Sequence, residues 1–592
     1  MVRYWPYARP YLPSYLVGLV LLLVTNGLSL WIPWLLRDAI GAMESRVALS
    51  VLAGYAAAIA GIAVLQAVVR TLSRLTILGN SRRIVFDIRG RFFRHLQRLG
   101  ATFYDTHRTG DIMSRGINDI QLLQSLFGPG VLNLLNTAIV YAGTIVILLR
   151  LDARLTLIAL TPYPILLLGV NRLSRRVYSR SIAVQEQLAA ISNRAQENIS
   201  GIQQVKTYVQ EEREIAGFRE LCAEFRRRNL AMATVRGGMV SVIGVVSGAG
   251  TLIVLFVGGR FVIEGRMTLG DFVAFNAYLG LLAWPTIAMG WIINVFQRGA
   301  GAMERLQEIF EHAPDVPAAL DEALEGPEPD AGRVEGDIEI RDLTFVYDRR
   351  AAARSGPGER VPALHDIRLT IPRGSRVALV GAVGSGKSTL VNLLARVYPV
   401  PRGAISIGGT DINDIPVTRL RHSIGYVPQE AFLFSRSVRD NILFGQPDAS
   451  DEDVDRALDI SRLAADLESF PEGIDTVVGE RGFTLSGGQR QRATLARAVV
   501  GDPAILILDD SLSSVDADTE RAILSELEGL MRGRTTIFIS HRPAALIGMD
   551  RIVVLEAGRI VEQGTHDELL SADRAYARMF RRHMLERRLE AR

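Results

Sequence analysis

An α-helical membrane domain of six spans with long cytoplasmic helix extensions, followed by an α/β domain of P-loop type, is the fold class this 592-residue sequence predicts. Three observations predict it. Before about Phe310 the chain carries apolar runs of membrane-spanning length, roughly 20 residues each. Between some of these runs lie long arginine-rich stretches without proline. After about Val334 the sequence reads as a soluble α/β domain containing a strand, a glycine loop and a helix in succession.

The amino end, "MVRYWPYARPYLPSY", has no small-residue cleavage site after its first apolar run, so that run reads as a retained helix. The six expected spans cover about Tyr15–Leu36, Leu49–Val69, Val131–Leu149, Leu155–Val170, Val240–Val262 and Phe272–Val295. Short links ("AMESR", "RLDAR", "IEGRMTLG") alternate with long ones. The long ones hold Arg82, Arg83, Arg89, Arg91, Arg94 and Arg98, then Arg172, Arg175, Arg176, Arg180 and Arg226–Arg228. Positive charge stays inside, so both termini and the long links are expected in the cytoplasm.

No proline occurs between Pro33 and Pro129, or between Pro164 and Pro285. Two antiparallel legs of ~30 residues would reach ~45 Å beyond the membrane at 1.5 Å per residue and turn near "TYVQEEREI". The alternative is a separate helical cytoplasmic domain. "APDVPAALDEALEGPEPDAG", rich in proline and acid, reads as a linker. The expected organisation is a membrane domain over 1–312, a linker over 313–334, the α/β domain over 335–580 and a tail over 581–592.

A net charge of +4 is small for this length and gives little support to nucleic-acid binding. Cys222 is the single cysteine, which excludes an intrachain disulfide and argues against a cysteine metal site.

The chemistry begins at "RVALVGAVGSGKSTL". Gly381, Gly386, Lys387 and Ser388 fit the spacing of a phosphate loop, with Gly384, Ser385 and Thr389 inside the same turn. Glycines let backbone N–H groups close around phosphate oxygens, and the following helix adds its positive end. Lys387 is expected on the β- and γ-phosphates and the Ser388 hydroxyl on Mg²⁺. Apart from Lys206 every other basic chain is arginine, yet this position keeps a compact ammonium. Further on, "ILILDD" places Asp509 and Asp510 at the carboxyl end of a strand expected to be buried on both faces, where α/β sheets bind ligands.

Around these lie "YVPQE" with Gln429, "LSGGQRQR" with Ser486–Gln489, "SSVD" ending at Asp516 and "ISHR" with His541. This order and spacing resemble the ATP-binding cassette, or ABC, family, and the resemblance covers essentially the whole chain as an exporter half-transporter: membrane domain first, ABC nucleotide-binding domain second. "FYDTHRTGDIMSRGINDI" and "VKTYVQEE" are similar to the family's two coupling segments, and "TVVGERG" to a loop that touches the partner's. The resemblance implies ATP and Mg²⁺ as ligands. Tyr347 would stack on adenine, or else be a core aromatic; an insertion in "RRAAARSGPGERVPAL" blurs its register. Ser388, Gln429 and Asp509 would hold Mg²⁺; His541 would bond the γ-phosphate; Asp516 and Ser486, Gly487, Gly488 and Gln489 would complete the site of an opposing cassette.

Where the family normally has a glutamate to orient the attacking water, this chain has Asp510. The carboxylate retreats by on the order of 1 Å, and a misplacement of that size can cost ~10²-fold in rate. Either the backbone compensates and Asp510 serves as the base, or its site is slow. Because the signature is intact while Asp510 is short, the resemblance is to the degenerate-site subunit of heterodimeric bacterial multidrug exporters. The expected partner is a different half-transporter with a catalytic glutamate. The alternatives are a homodimer with two sluggish sites and an ATP-gated channel or regulatory subunit. The expected setting is the bacterial inner membrane, and the expected cargo hydrophobic or amphipathic: drugs, lipids or peptides. Tyr278, Trp284, Met289, Trp291 and Asn294, with Asn133 and Asn136, are candidates to touch cargo, lipid contact or packing being the alternative for each. Arg70, Arg74 and Arg298 fall near inner ends of spans, Arg260 and Asp271 near outer ones.

Overall fold

The computed structural model describes residues 5–45, 47–315, 332–347, 362–479, 482, 484–510, 517–540 and 546–590. The chain divides into two compact units. One comprises Met1–Phe93 and Met113–Glu311; the other comprises Arg94–Ile112 and His312–Arg592.

The first unit is helical throughout. Its longest elements are Leu12–Glu44, Leu49–Arg98 (which continues into the second unit), Val131–Leu151, Pro162–Ser200, Glu211–Ile253, Leu269–Leu281 and Ala283–Phe310. Among the described residues, four helices are long and apolar enough to cross a membrane: Pro6–Glu44, Leu49–Arg98, Thr109–Leu151 and Leu269–Phe310. The other two expected spans fall on helices as well: 155–170 on Ala153–Leu160 and Pro162–Ser200, and 240–262 on Glu211–Ile253 and the turns after it. The last long helix is interrupted at Leu282, just before Pro285, whose ring cannot donate to the preceding turn.

Pro162–Ser200 and Glu211–Ile253, of 39 and 43 residues, lie antiparallel. As the number rises on one it falls on the other. Arg194 donates to Glu214 at 2.8 Å, Gln187 to the Leu221 carbonyl at 3.1 Å, and Arg228 to the Ala183 carbonyl at 2.9 Å. Polar side chains reaching across to the other leg add to the packing of Val184, which is buried between them. Their turn runs through the short helix Ile202–Thr207 and Val209, at φ 52°. That is where the sequence places it.

The second unit has two sheets. Strands β1 (Ile338–Phe345), β2 (Leu364–Ile371), β4 (Ile405–Ile407) and β5 (Thr410–Asp411) form an antiparallel sheet in the order β2-β1-β4-β5. Strands β3 (Arg376–Val380), β6 (Ile424–Val427), β7 (Ile505–Asp509), β8 (Thr535–Ile539), β9 (Arg551–Glu556) and β10 (Arg559–Gly564) form the other, ordered β10-β9-β3-β8-β7-β6. It is parallel except for the β9–β10 hairpin.

Side chains alternate across this sheet. Ile505 and Ile507 of β7 and Ile537 and Ile539 of β8 enter one core; Leu506, Leu508 and Phe538 enter the core on the opposite face. β7 is buried along its whole length, which explains its unbroken apolar run. The helix Lys387–Leu394 packs into the first core through Leu390, Val391, Leu393 and Leu394, and the helix Gly487–Val499 into the second through Ala493, Leu495, Ala496 and Val499.

Candidate nucleotide site

Adjacent parallel strands deliver the expected site residues at their carboxyl ends. β3 ends just before Gly381, β8 just before Ser540, β7 at Asp509 and β6 two residues before Gln429, and these four strands are neighbours in the sheet. Their loops therefore emerge on one edge, the place where α/β sheets take ligands.

The loop after β3 requires its glycines. Gly381 sits at φ +150°, and a Cβ there would lie 2.1 Å from the Leu555 carbonyl oxygen. Gly386 sits at φ +102°, with the Ala363 carbonyl oxygen 2.7 Å from where a Cβ would be. No other residue fits either place without moving backbone. Ser385, Lys387 and Thr389 are buried, and Ser388 is half-buried. The Lys387 ammonium donates to the Gly381 carbonyl at 2.8 Å and the Ala382 carbonyl at 2.9 Å. Burial lowers its pKa from the ordinary value, while the charges of Asp509 and Asp510 work the other way.

Asp509 is 3 % exposed and bonds the Ser388 hydroxyl. Burial pushes its carboxyl up; the Ser388 bond opposes this, the Asp510 charge adds to it, and Lys387 opposes it. Asp510 is half-buried, donates its N–H to the Ile539 carbonyl at 2.9 Å and stands at φ +44°. That left-handed conformation is disfavoured for most side chains and tolerated by aspartate. Gln429 is exposed. Asp516 and His541 lie outside the described residues, as do Glu480 and Arg481 of "TVVGERG".

Tyr347 joins the loop. Its hydroxyl lies 2.9 Å from the Thr389 hydroxyl, and its ring meets Phe345 and Tyr398 edge to face at 5.0 and 5.2 Å. Tyr398 donates to Asp105 at 2.9 Å, within the short helix Ala101–Thr106. The three aromatics and this helix line a cavity of about 880 Å³. The sequence reading missed Tyr398 and Asp105 as a pair. Asp105 stood inside a segment already singled out and Tyr398 in none, and nothing in one sequence joins residues 293 positions apart.

Ser486–Gln489 are placed elsewhere. Ser486 caps the helix Gly487–Val499 by accepting from the Gln489 N–H at 3.2 Å, and Gln489 returns the bond to the Ser486 N–H at 3.0 Å. This helix start, with Ser486 exposed and Gly487–Gln489 half-buried, belongs to the face of the sheet opposite the helix Lys387–Leu394.

A glycine-walled cradle, a buried ammonium and a buried carboxylate bonded to a hydroxyl are the donor set for a metal–nucleoside triphosphate. Residues 364–513 match the family described as "ABC transporter", and residues 15–286 match "ABC transporter transmembrane region". The chain belongs to the ABC transporter family. It is a multi-pass membrane protein and an exporter half-transporter, with one membrane region and one nucleotide-binding domain. It is 35 % identical over 98 % of its length to the "Probable multidrug resistance ABC transporter ATP-binding/permease protein YheI" of Bacillus subtilis, covering 96 % of that protein. It is 33 % identical to the "Multidrug resistance-like ATP-binding protein MdlA" of Escherichia coli, over 89 % of this chain and 87 % of that one. Among solved structures it is similar to a bacterial Atm1-family ABC exporter with ATP bound, with a TM-score of 0.78, 25 % identity, and 96 % and 99 % of the two chains covered.

The residues expected to touch cargo are spread more widely in this half-transporter. Asn133, Asn136 and Trp284 line a second cavity, in the first unit. Tyr278 is fully buried and donates to the Leu30 carbonyl at 2.6 Å, so it packs rather than faces a cavity. Met289 and Trp291 are exposed, and Asn294 is half-buried.

Proposed function

We propose that this chain is the weak-site half of a heterodimeric, ATP-driven exporter of hydrophobic or amphipathic compounds in a bacterial inner membrane, with both termini cytoplasmic. One observation carries the reading: the helix start Ser486–Gln489 is intact, whereas the acid at the end of β7 is Asp510, one methylene shorter than the family's glutamate. ATP is the substrate. Gly381–Thr389 hold its phosphates, Lys387 compensates their charge, and Tyr347 offers its ring to the base. Ser388, Asp509 and Gln429 are the residues for Mg²⁺, which when bound neutralises phosphate charge. Asp510 lies too far back to aim a water well, and His541 is assigned to the γ-phosphate.

The helix start Ser486–Gln489 supports a two-chain site. It heads a helix on the face of the sheet opposite the phosphate-loop helix, so it suits the ATP of a facing cassette better than its own. Here it completes the partner's fast site, while this chain's own loop and Asp510 form the slow one. ATP binding draws the cassettes together, the long legs carry that closure into the membrane, and hydrolysis resets it.

The test is ATP turnover of the purified chain in lipid, alone and with a second half-transporter that has a glutamate at the matching position. The expected result is slow turnover alone and turnover raised at least about tenfold by the partner. Brisk turnover by the chain alone, abolished by Asp510→Asn, would show a homodimer with Asp510 as a competent base.

A further inference from the structure

The first unit holds a cavity of about 260 Å³ between its helices, and two arginines line it. Arg70 and Arg74 follow directly on the apolar stretch of the helix Leu49–Arg98. Gln66 and Ser73 pin that helix to the first one: Gln66 donates to the Thr25 carbonyl at 3.4 Å and Ser73 to the Gly18 carbonyl at 3.0 Å. At about 100° per residue, Arg70 and Arg74 stand roughly 40° and 80° round from Gln66, on the flank of the contact. They are one turn apart, about 6 Å, close enough for both guanidinium groups to meet one ligand.

Some arginines of this unit have acids. Arg305 pairs with Asp119, Arg37 with Asp271 and Arg260 with Glu264. Among the described residues no carboxylate pairs with Arg70 or Arg74, and none lines the cavity. The remaining polar walls are the amides of Asn26, Asn133 and Asn136 and the hydroxyls of Thr25 and Ser29. Asn136 accepts from Asn26 at 3.1 Å, which leaves the Asn136 NH₂ group as a further donor toward the cavity. Trp284 and leucines supply an apolar side. Two unpaired charges of one sign beside a membrane-length apolar run are costly to keep. Their forked donors suit a carboxylate or phosphate and repel a cation.

We propose that this cavity is a headgroup site for an anionic amphiphile, in which Arg70 and Arg74 clamp a phosphate or carboxylate and Trp284 packs against the attached chain. The proposal deepens the export reading and rests on it for its consequence, transport; the binding itself does not need ATP hydrolysis. The shared chemistry is an acidic head on an alkyl tail, whether a membrane lipid or a free compound.

The test uses the full chain in discs of zwitterionic lipid, without ATP, and reads the emission of Trp284, assigned by Trp284→Phe. The probes are dodecyl phosphate, dodecyltrimethylammonium and inorganic phosphate, all below micelle-forming concentrations. Dodecyl phosphate is expected to bind at least about tenfold tighter than either of the others. The double variant Arg70→Gln/Arg74→Gln should erase the headgroup preference, and Arg70→Lys/Arg74→Lys should keep part of it, both with unchanged ATP binding as the check on folding. Phosphatidic acid included in the disc displaces the probe if the source is the bilayer and leaves it bound if the source is a free amphiphile. Equal binding of the two dodecyl compounds, or a preference that survives the glutamine variant, overturns the proposal. Selective binding without any ATP-driven transport would leave this site standing and sink the export reading instead.

Discussion

Around Gly381–Thr389 the positive field comes from backbone N–H groups, a helix end and one buried ammonium; around Arg70 and Arg74 it comes from two long side chains on an exposed helix flank. In the first region the two flanking glycines and the ammonium are held in place by their neighbours. Gly381 and Gly386 have no room for a Cβ, and Lys387 is 6 % exposed. In the second, nothing but helix register fixes the charges, and their heads can rearrange. A rigid cradle suits one ligand whose shape never varies. A flexible pair of forks suits a class of ligands that share only a charge.

The sharpest way to break this comparison is a lysine–arginine exchange in each region. Lys387→Arg keeps the charge but must fit a wider planar group into space closed by the Gly381 and Ala382 carbonyls. It should weaken ATP binding about 10²-fold, as much as Lys387→Ala, because a buried partner of a charged phosphate is lost in both cases. Fluorescent-nucleotide titration of the full chain measures it. At Arg70 and Arg74, by contrast, lysine should be partly tolerated. If Lys387→Arg binds ATP as the native chain does, the rigid-cradle account is wrong.

Next in size is Asp510→Glu. Restoring the methylene should raise the turnover of the chain alone by about 10- to 10²-fold with little change in ATP affinity. The position stands at φ +44°, which glutamate accepts less readily than aspartate. A small loss of thermal stability should therefore accompany the gain. No gain in turnover would mean that something other than reach limits this site.

Two carboxylates side by side give the third test. Asp509 is raised by burial, so between the ordinary carboxylate pKa of 3.8 and its raised folded value the native state holds a proton that the unfolded chain has lost. Stability from this group therefore falls as pH rises through that window. Asp509→Asn should remove the penalty and raise the melting temperature of the Mg²⁺-free protein at neutral pH by roughly 2–4 °C. The same change should cost about tenfold in the Mg²⁺ dependence of ATP binding. Calorimetry and titration at several Mg²⁺ concentrations read both. A lowered melting temperature would place the main role of Asp509 in packing.

Both halves of the fold were legible because their signals are local. Membrane helices announce themselves by length and apolarity, and the antiparallel legs by an absence of proline. β7 appears as four aliphatic residues in a row because parallel strands are covered on both faces. The phosphate loop was legible because its backbone tolerates only glycine at Gly381 and Gly386. What stayed hidden is long-range. That Ser486 and Lys387 head helices on opposite faces of one sheet follows from strand order, which no short motif encodes. The charged cavity was hidden for a related reason: Arg70 and Arg74 read as the inner end of a span until Asn26, Asn136 and Trp284, from three other helices, were brought beside them.

The smallest expected effect concerns the bond from Tyr398 to Asp105, which ties the ring beside Tyr347 to the short helix Ala101–Thr106. Burial pushes the Tyr398 hydroxyl well above the usual tyrosine pKa, so it stays a donor at every working pH. Tyr398→Phe keeps the edge-to-face packing on Tyr347 and removes only the bond. If that bond merely supports the fold, melting temperature and basal turnover should fall together. If it relays occupancy of the base pocket, ATP affinity should hold while stimulation of turnover by cargo drops about two- to fivefold, since a single exposed charge-assisted hydrogen bond contributes on the order of 0.5–1 kcal/mol. Asp105→Asn, which can still accept from Tyr398, should keep most of the stimulation; Asp105→Ala should not. A Phe variant stimulated as fully as the native chain would confine Tyr398 to packing and leave the phosphate loop as the element that reads the nucleotide.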